Sequence, residues 1–156
     1  MRPLDPWHVN TGKRMTQAPK VFVRDTRLLH ILLEISTMDQ LLGHPSVGPS
    51  YESLAAEALI GAAGDAFRPH HYRTARGDEI DLVLVRGGRP VIAVEVTRST
   101  APVVGPGFHR AVAVLAVGQA YVVHPDTGRD PYAVSPGVTA YGLSTLVRRL
   151  RAESAA

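Results

Sequence analysis

The residues of this chain best able to do chemistry are three carboxylates, Glu79, Asp81 and Glu95, on two neighbouring runs. The runs Glu79–Val85 (EIDLVLV) and Val91–Thr97 (VIAVEVT) both read as strands. Side chains alternate between the faces of a strand. Glu79, Asp81, Val83 and Val85 therefore share one face, and Ile80, Leu82 and Leu84 the other. In the second run Val91, Ala93, Glu95 and Thr97 share one face, and Ile92, Val94 and Val96 the other. With Val85 facing Val91 across the turn Arg86-Gly87-Gly88-Arg89-Pro90, Asp81 stands opposite Glu95 and Glu79 opposite Thr97. Directly opposed positions bring Cβ atoms to about 4.5–5.5 Å, where two carboxylates repel. Two readings follow. Either a divalent cation sits between the acids, or they are strand-end residues in solvent, each paired with an arginine such as Arg73, Arg76 or Arg98. Mg²⁺ takes one or two carboxylates together with waters and phosphate oxygens. There it would activate water and neutralise charge on a phosphoryl group. The register decides, because a slip of one residue moves a carboxylate to the other face.

Other elements must position these strands. Met1–Pro19 lacks periodicity and reads as an arm. Lys20–Arg24 (KVFVR) alternates as a short strand. Asp25 caps a helix with Leu28, Leu29, Leu32 and Leu33 on one apolar face. Thr37–Leu42 predicts a short helix, and His44–Pro49 a loop. A second long helix starts at Ser50, with Tyr51, Leu54, Ala55, Ala58, Leu59 and Ala62 as its buried stripe and Gly64 as its end. Strands follow at 67–73, 79–85 and 91–97, then a loop at 99–107 and a buried helix at 108–117. Strands at 119–124 and 138–141 and a basic terminal helix, Leu143–Arg151, complete the chain. The order αβββαβ from Ser50 onward predicts an α/β fold: a mixed sheet flanked by helices, preceded by the arm and first helix. The division expected is an arm at 1–19 and one domain at 20–156, with its core at 50–124.

Composition bounds the function. The chain has 156 residues, 45% hydrophobic and 20% charged, enough for one domain with a sizeable core. It has no cysteine, which excludes disulfides and thiolate metal sites and is compatible with a reducing cytoplasm. No apolar run is long enough to cross a membrane, and no secretory signal is visible before Asn10. The net charge is +3, and arginines gather at both ends, which suits either a solvated surface or an anionic partner. Of the 17 basic residues only Lys13 and Lys20 are lysines. His70 and His71 point to opposite faces of a strand, and the other histidines have no ligand spacing, so a zinc site finds no support. No serine lies in a Gly-x-Ser-x-Gly elbow, and the tyrosines form no stacking stripe.

Asp81, thirteen residues, then Glu95-Val-Thr97 resembles the signature of PD-(D/E)xK nucleases. The strings GKRMTQAPKVFVRDTRLLHILL (12–33), LLGHPSVGPSYESLAAEAL (41–59), YRTARGDEIDLVLV (72–85) and VIAVEVTRSTAP (91–102) resemble more closely a C-terminal domain of bacterial and archaeal AAA-type ATPases. That domain is of unknown function, with a predicted PD-(D/E)xK-like fold. The resemblance implies a restriction-endonuclease-like core with Asp81 and Glu95 as metal-binding acids and Glu52, with Glu57 as second choice, as the helix acid. Three departures qualify it. Thr97 stands where the family has a lysine that would stabilise phosphorane charge, and Arg98 points away unless a bulge re-aims it. The ATPase half is absent, and Gly12-Lys13-Arg14 is no P-loop, because Trp7 occupies the position of the required glycine. Arg27 replaces a usual glycine. The chain reads as the C-terminal part of a longer architecture.

The expectation is a nuclease-like domain with degraded activity, kept for nucleic-acid binding or regulation. Its site would comprise Asp81, Glu95, Thr97 and Glu52, with Mg²⁺ as the ion and Arg73, Arg76 and Arg98 for phosphates. The alternatives are an active Mg²⁺-dependent nuclease and a protein-interaction module. The latter would dimerise through the first helix if that helix is left uncovered.

Overall fold

The structure, a computed structural model, describes residues 1–8 and 18–155. Lys13, Arg14 and the Gly12-Lys13 pair lie outside the described residues. A six-stranded sheet runs β3 (Arg68–Arg73), β4 (Glu79–Arg86), β5 (Arg89–Val96), β6 (Gln119–His124), β8 (Val138–Gly142) and β7 (Tyr132–Ser135). The pairs β3–β4, β4–β5 and β7–β8 are antiparallel, whereas β5–β6 and β6–β8 are parallel. The long helix α3 (Val47–Ala63) and the terminal α5 (Leu143–Ser154) cover one face, where Ala55, Ala56, Leu59, Leu146 and Leu150 meet Leu82, Leu84, Ile92 and Val94. The helix α4 (Pro106–Leu115) covers the other face, where Phe108, Ala111 and Leu115 meet Val83, Val85 and Ala93. The mixed sheet flanked by helices is therefore as the strand–helix order predicts. Among the described residues no helix is long and apolar enough to cross a membrane.

Local structure departs from the expectation where a tertiary contact overrides propensity. The arm contains a strand: β1 (Arg2–Leu4) pairs antiparallel with β2 (Lys20–Phe22) and buries Leu4 and Phe22 in the α3-side core. Beyond it the Trp7 N–H donates to the His71 carbonyl and the His71 N–H to that of Asp5, so this segment covers the outer edge of β3. The helix α1 (Thr26–Leu32) is capped by Asp25, whose carboxylate accepts from the Arg27 and Leu28 N–H groups. Arg27 is not among the described residues with positive φ, so nothing at that position requires glycine. The helix α2 (Met38–Gly43) starts with a Thr37–Gln40 capping box.

The helix α3 begins at Val47 rather than Ser50. Pro49 lies in its first turn, where the missing N–H is not needed. Ser50 is buried inside the helix, with its Oγ 2.7 Å from His30 Nε2. The buried face of α3 is also rotated from the predicted stripe: Ser53 and Ala56 are inside, and Leu54 is exposed. Ser53 can be inside because its Oγ accepts the Val23 N–H. The turn after β4 has two residues, not five: Arg86 pairs with Arg89, and Gly87 and Gly88 have φ of 60° and 74°. Two successive positive φ values make the hairpin turn that matches strand twist, and glycine adopts them without strain. Strand β7 has no counterpart in the sequence reading, and α4 starts at Pro106, inside the predicted loop.

Candidate functional site

The acids are assembled by an irregularity in β4. Between β3 and β4, His70 pairs with Val83 but Tyr72 pairs with Ile80, so Asp81 and Leu82 together oppose His71. Such a bulge re-aims side chains. Ile80 consequently packs on the α4 side with Val83, not with Leu82 and Leu84 as strict alternation predicts. Asp81 is turned towards α3 and β2. The register towards β5 is the expected one over Leu82↔Val94, Val83↔Ala93 and Leu84↔Ile92, and the shift lies nearer the turn. Past Leu82 the Asp81 carboxylate takes the place of ladder bonding, its Oδ2 accepting the Val96 N–H at 2.9 Å.

Lys20, on β2, stands at the centre of the acids. Its Nζ lies 2.6 Å from Asp81 Oδ1 and 3.5 Å from Glu79 Oε1, and it also contacts Glu52 Oε1. Glu79 is 3.9 Å from Arg73 Nε as well. The cluster thus draws Glu52 from α3, Glu79 and Asp81 from β4 and Lys20 from the N-terminal hairpin, with Glu95 of β5 close enough to feel their charges. Burial works against the charge on Lys20, but Asp81 and Glu52 outweigh it and hold the ammonium above its ordinary range. Glu52 is pushed up to about 7 by burial and by Asp81, more than the contact with Lys20 lowers it. Glu95 is pushed up to about 8 by burial first, then by Asp81 and Glu79, so it holds a proton at neutral pH. Its Oε2 is buried with no hydrogen-bond partner among the described residues.

The remaining candidates separate cleanly. Glu57 is not part of the cluster: its Oε1 is 2.5 Å from Arg2 Nε and its Oε2 is 3.6 Å from Arg24 Nε, a clamp on the N-terminal hairpin. Thr97 continues the sheet, its N–H donating to the Val123 carbonyl, and its Oγ1 accepts the Ser99 N–H. Arg73, Arg76 and Arg98 are exposed. Among the described residues no three His, Asp or Glu side chains are disposed to hold a metal ion, and a lysine lies between the acids. Sequence reasoning missed Lys20 as a site residue. Its only signal was rarity, as one of two lysines, beside a phenylalanine two residues on.

A cleft of about 540 Å³ opens beside the cluster, lined by Lys20, His71, Arg73, Thr74 and Glu79 with Pro19 and Gly77. His71 is also missing from the sequence reading as a site residue. It is 4% exposed, and its Nε2 is buried with no partner among the described residues. Burial, and then Lys20, lower its pKa. The arrangement can bind a polar or charged group that reaches the cleft past the exposed arginines.

A family model described as Domain of unknown function (DUF4143) matches residues 47–146. Two curated relatives, Uncharacterized protein Mb2031c of Mycobacterium bovis and Uncharacterized protein Rv2008c of Mycobacterium tuberculosis, are each 36% identical over 132 residues. The match covers 84% of this chain but 29% of each relative, so the chain spans less than a third of their length. No solved structure matches.

Proposed function

The chain belongs to the family described as Domain of unknown function (DUF4143), and we propose that its domain is a nuclease-like fold that binds nucleic acid without cleaving it. The succession α3-β3-β4-β5-α4-β6 supports a restriction-endonuclease-like core. Glu52 and Asp81 both contact Lys20 at one edge of it, with Glu95 close enough to feel the Asp81 charge, and this supports the set of acids that the resemblance implies. The observation that carries the reading is Lys20 held between Glu52 and Asp81. Phosphodiester cleavage needs charge placed where the transition state develops it. Here the cationic group is engaged by the acids, and the signature position is a threonine whose hydroxyl caps the next loop. The same lysine, with the proton on Glu95, removes much of the repulsion that four carboxylates would exert on a phosphate backbone. Arg73, which lines the cleft beside the cluster, and Arg76 and Arg98 are exposed, and under this reading they supply the backbone contacts. In relatives of the mycobacterial length, an ATPase module of the kind the resemblance implies would occupy part of the remainder, and this domain would serve it as a nucleic-acid reader.

Fluorescence anisotropy with labelled single- and double-stranded DNA and RNA over a salt series tests this. Binding should weaken with salt, and each arginine removed should lower the log–log slope by about 0.9 on duplex DNA. No product should appear with Mg²⁺ or Mn²⁺. Absence of binding at low salt would sink the proposal. Cleavage abolished by Asp81→Ala would replace it with the active Mg²⁺-dependent nuclease.

A second reading, a protein-interaction module, is favoured by one observation. The apolar side chains of α1 and α2 are uncovered: Ile31, Leu32 and Met38 are 71%, 72% and 67% exposed. Leu28 and Leu42 are exposed beside them.

A further inference from the structure

We infer that Lys20 is the resident cation of the acid cluster, a tethered ammonium that shuts divalent metal ions out of it. The inference rests on the reading above only in taking Glu52 and Asp81 as the acids that would face such an ion. Three observations carry it. The Nζ contacts carboxylates from two different elements, Glu52 of α3 and Asp81 of β4, with Glu79 at 3.5 Å, so it lies where a bridging cation would lie. The lysine is delivered there by a segment built to stay. Leu4 and Phe22 are buried in the core, Arg2 and Arg24 both pair with Glu57, and the Val23 N–H donates to Ser53 on α3. Finally, His71, 4% exposed, lines the same cleft as Lys20 and Glu79, and its Nε2 has no partner among the described residues.

Electrostatics explains why the two cations exclude each other. An ammonium already at 2.6 Å from Asp81 would repel a divalent ion approaching the same oxygens. Removing the ammonium leaves Glu52, Glu79 and Asp81 facing a common centre, the condition under which hard cations bind oxygen ligands. Lys20→Met keeps an unbranched apolar side chain of similar length and removes the ammonium, with its charge, its hydrogen bonds and its place over the Phe22 ring.

The test is a titration of Mn²⁺ and Mg²⁺ into wild type, Lys20→Met and Lys20→Met/Asp81→Asn, read by thermal shift and by calorimetry. The wild type should show no metal-dependent stabilisation at millimolar metal. Lys20→Met should gain several degrees with Mn²⁺, and the double variant should lose that gain. A wild type stabilised as much as Lys20→Met would overturn the proposal, as would a folded Lys20→Met that ignores both metals. If Lys20→Met is unfolded without metal, refolding on addition of Mn²⁺ supports the proposal and failure to refold overturns it. The readout contains no nucleic acid, so a failure of nucleic-acid binding would leave this result standing and a failure here would leave the binding assay standing.

Discussion

Glu95 concentrates the residue-scale argument. Its ordinary value is 4.5, and burial with Asp81 and Glu79 nearby raises it to about 8. The folded chain therefore holds a proton that the unfolded chain releases, and stability contributed by that proton is lost as pH rises from 4.5 through about 8. Glu95→Gln keeps the shape and removes the titration. We expect its Tm to match that of the wild type in acid and to exceed it increasingly up to pH 8. The gap should reach several degrees, at about 2–4 °C per kcal/mol for a domain of this size. Melting curves across that range check it, and a gap that does not change with pH would show that Glu95 ionises normally. Glu79, Asp81 and Glu95 were legible as a set from residue type and strand spacing, whereas Glu52 entered only through the resemblance. Lys20 was not, because no local pattern says that a lysine 61 residues before Asp81 will reach it.

At the scale of elements, the hairpin β4–β5 shows how a short motif positions distant chemistry. Gly87 and Gly88 close it with two positive φ values, and a register shift next to the turn restores the pairing that the acids need. Gly88→Ala should cost about 1 kcal/mol through left-handed strain, measurable as a lower midpoint in urea with an unchanged slope. An unchanged midpoint would mean that the turn does not impose that conformation. The strands themselves were legible from alternation, and the turn from its glycine pair. The bulge at Asp81-Leu82 was not, since EIDLVLV alternates without interruption and only the edge strand β3 reveals the extra residue. The start of α3 was likewise hidden, because Ser50 resembles a cap locally while its Oγ is engaged by His30 from α1.

For the whole molecule, the uncovered apolar surface of α1 and α2 is the feature that a monomer explains least. Single exposed apolar residues are ordinary, but Leu28, Ile31, Leu32, Met38 and Leu42 fall on two successive short helices. Under the interaction reading, light scattering should show mass rising with concentration, and Ile31→Asp/Leu32→Asp should return the chain to monomer without lowering its Tm. A monomer at all concentrations would count against self-association. The same helices also show what amphipathicity leaves undecided. The Leu28, Leu29, Leu32 and Leu33 spacing marks an apolar face correctly, but it does not say whether the chain itself covers that face.

The sequence by itself determined the α/β class, the strand and helix order from β3 to β6 and the Asp25 and Thr37 helix starts. All of these follow from periods of two and 3.6 residues or from caps a few positions away. Only the tertiary structure decided that β1 and β2 fold back over α3, that Asp81 turns towards that helix, that Glu57 clamps the hairpin and that Lys20 rather than an arginine neutralises Asp81 and Glu52. The physical reason is range. Alternation and capping act over a handful of residues, whereas the charge balance of a buried cluster depends on which distant segments the core brings within a few ångströms of one another.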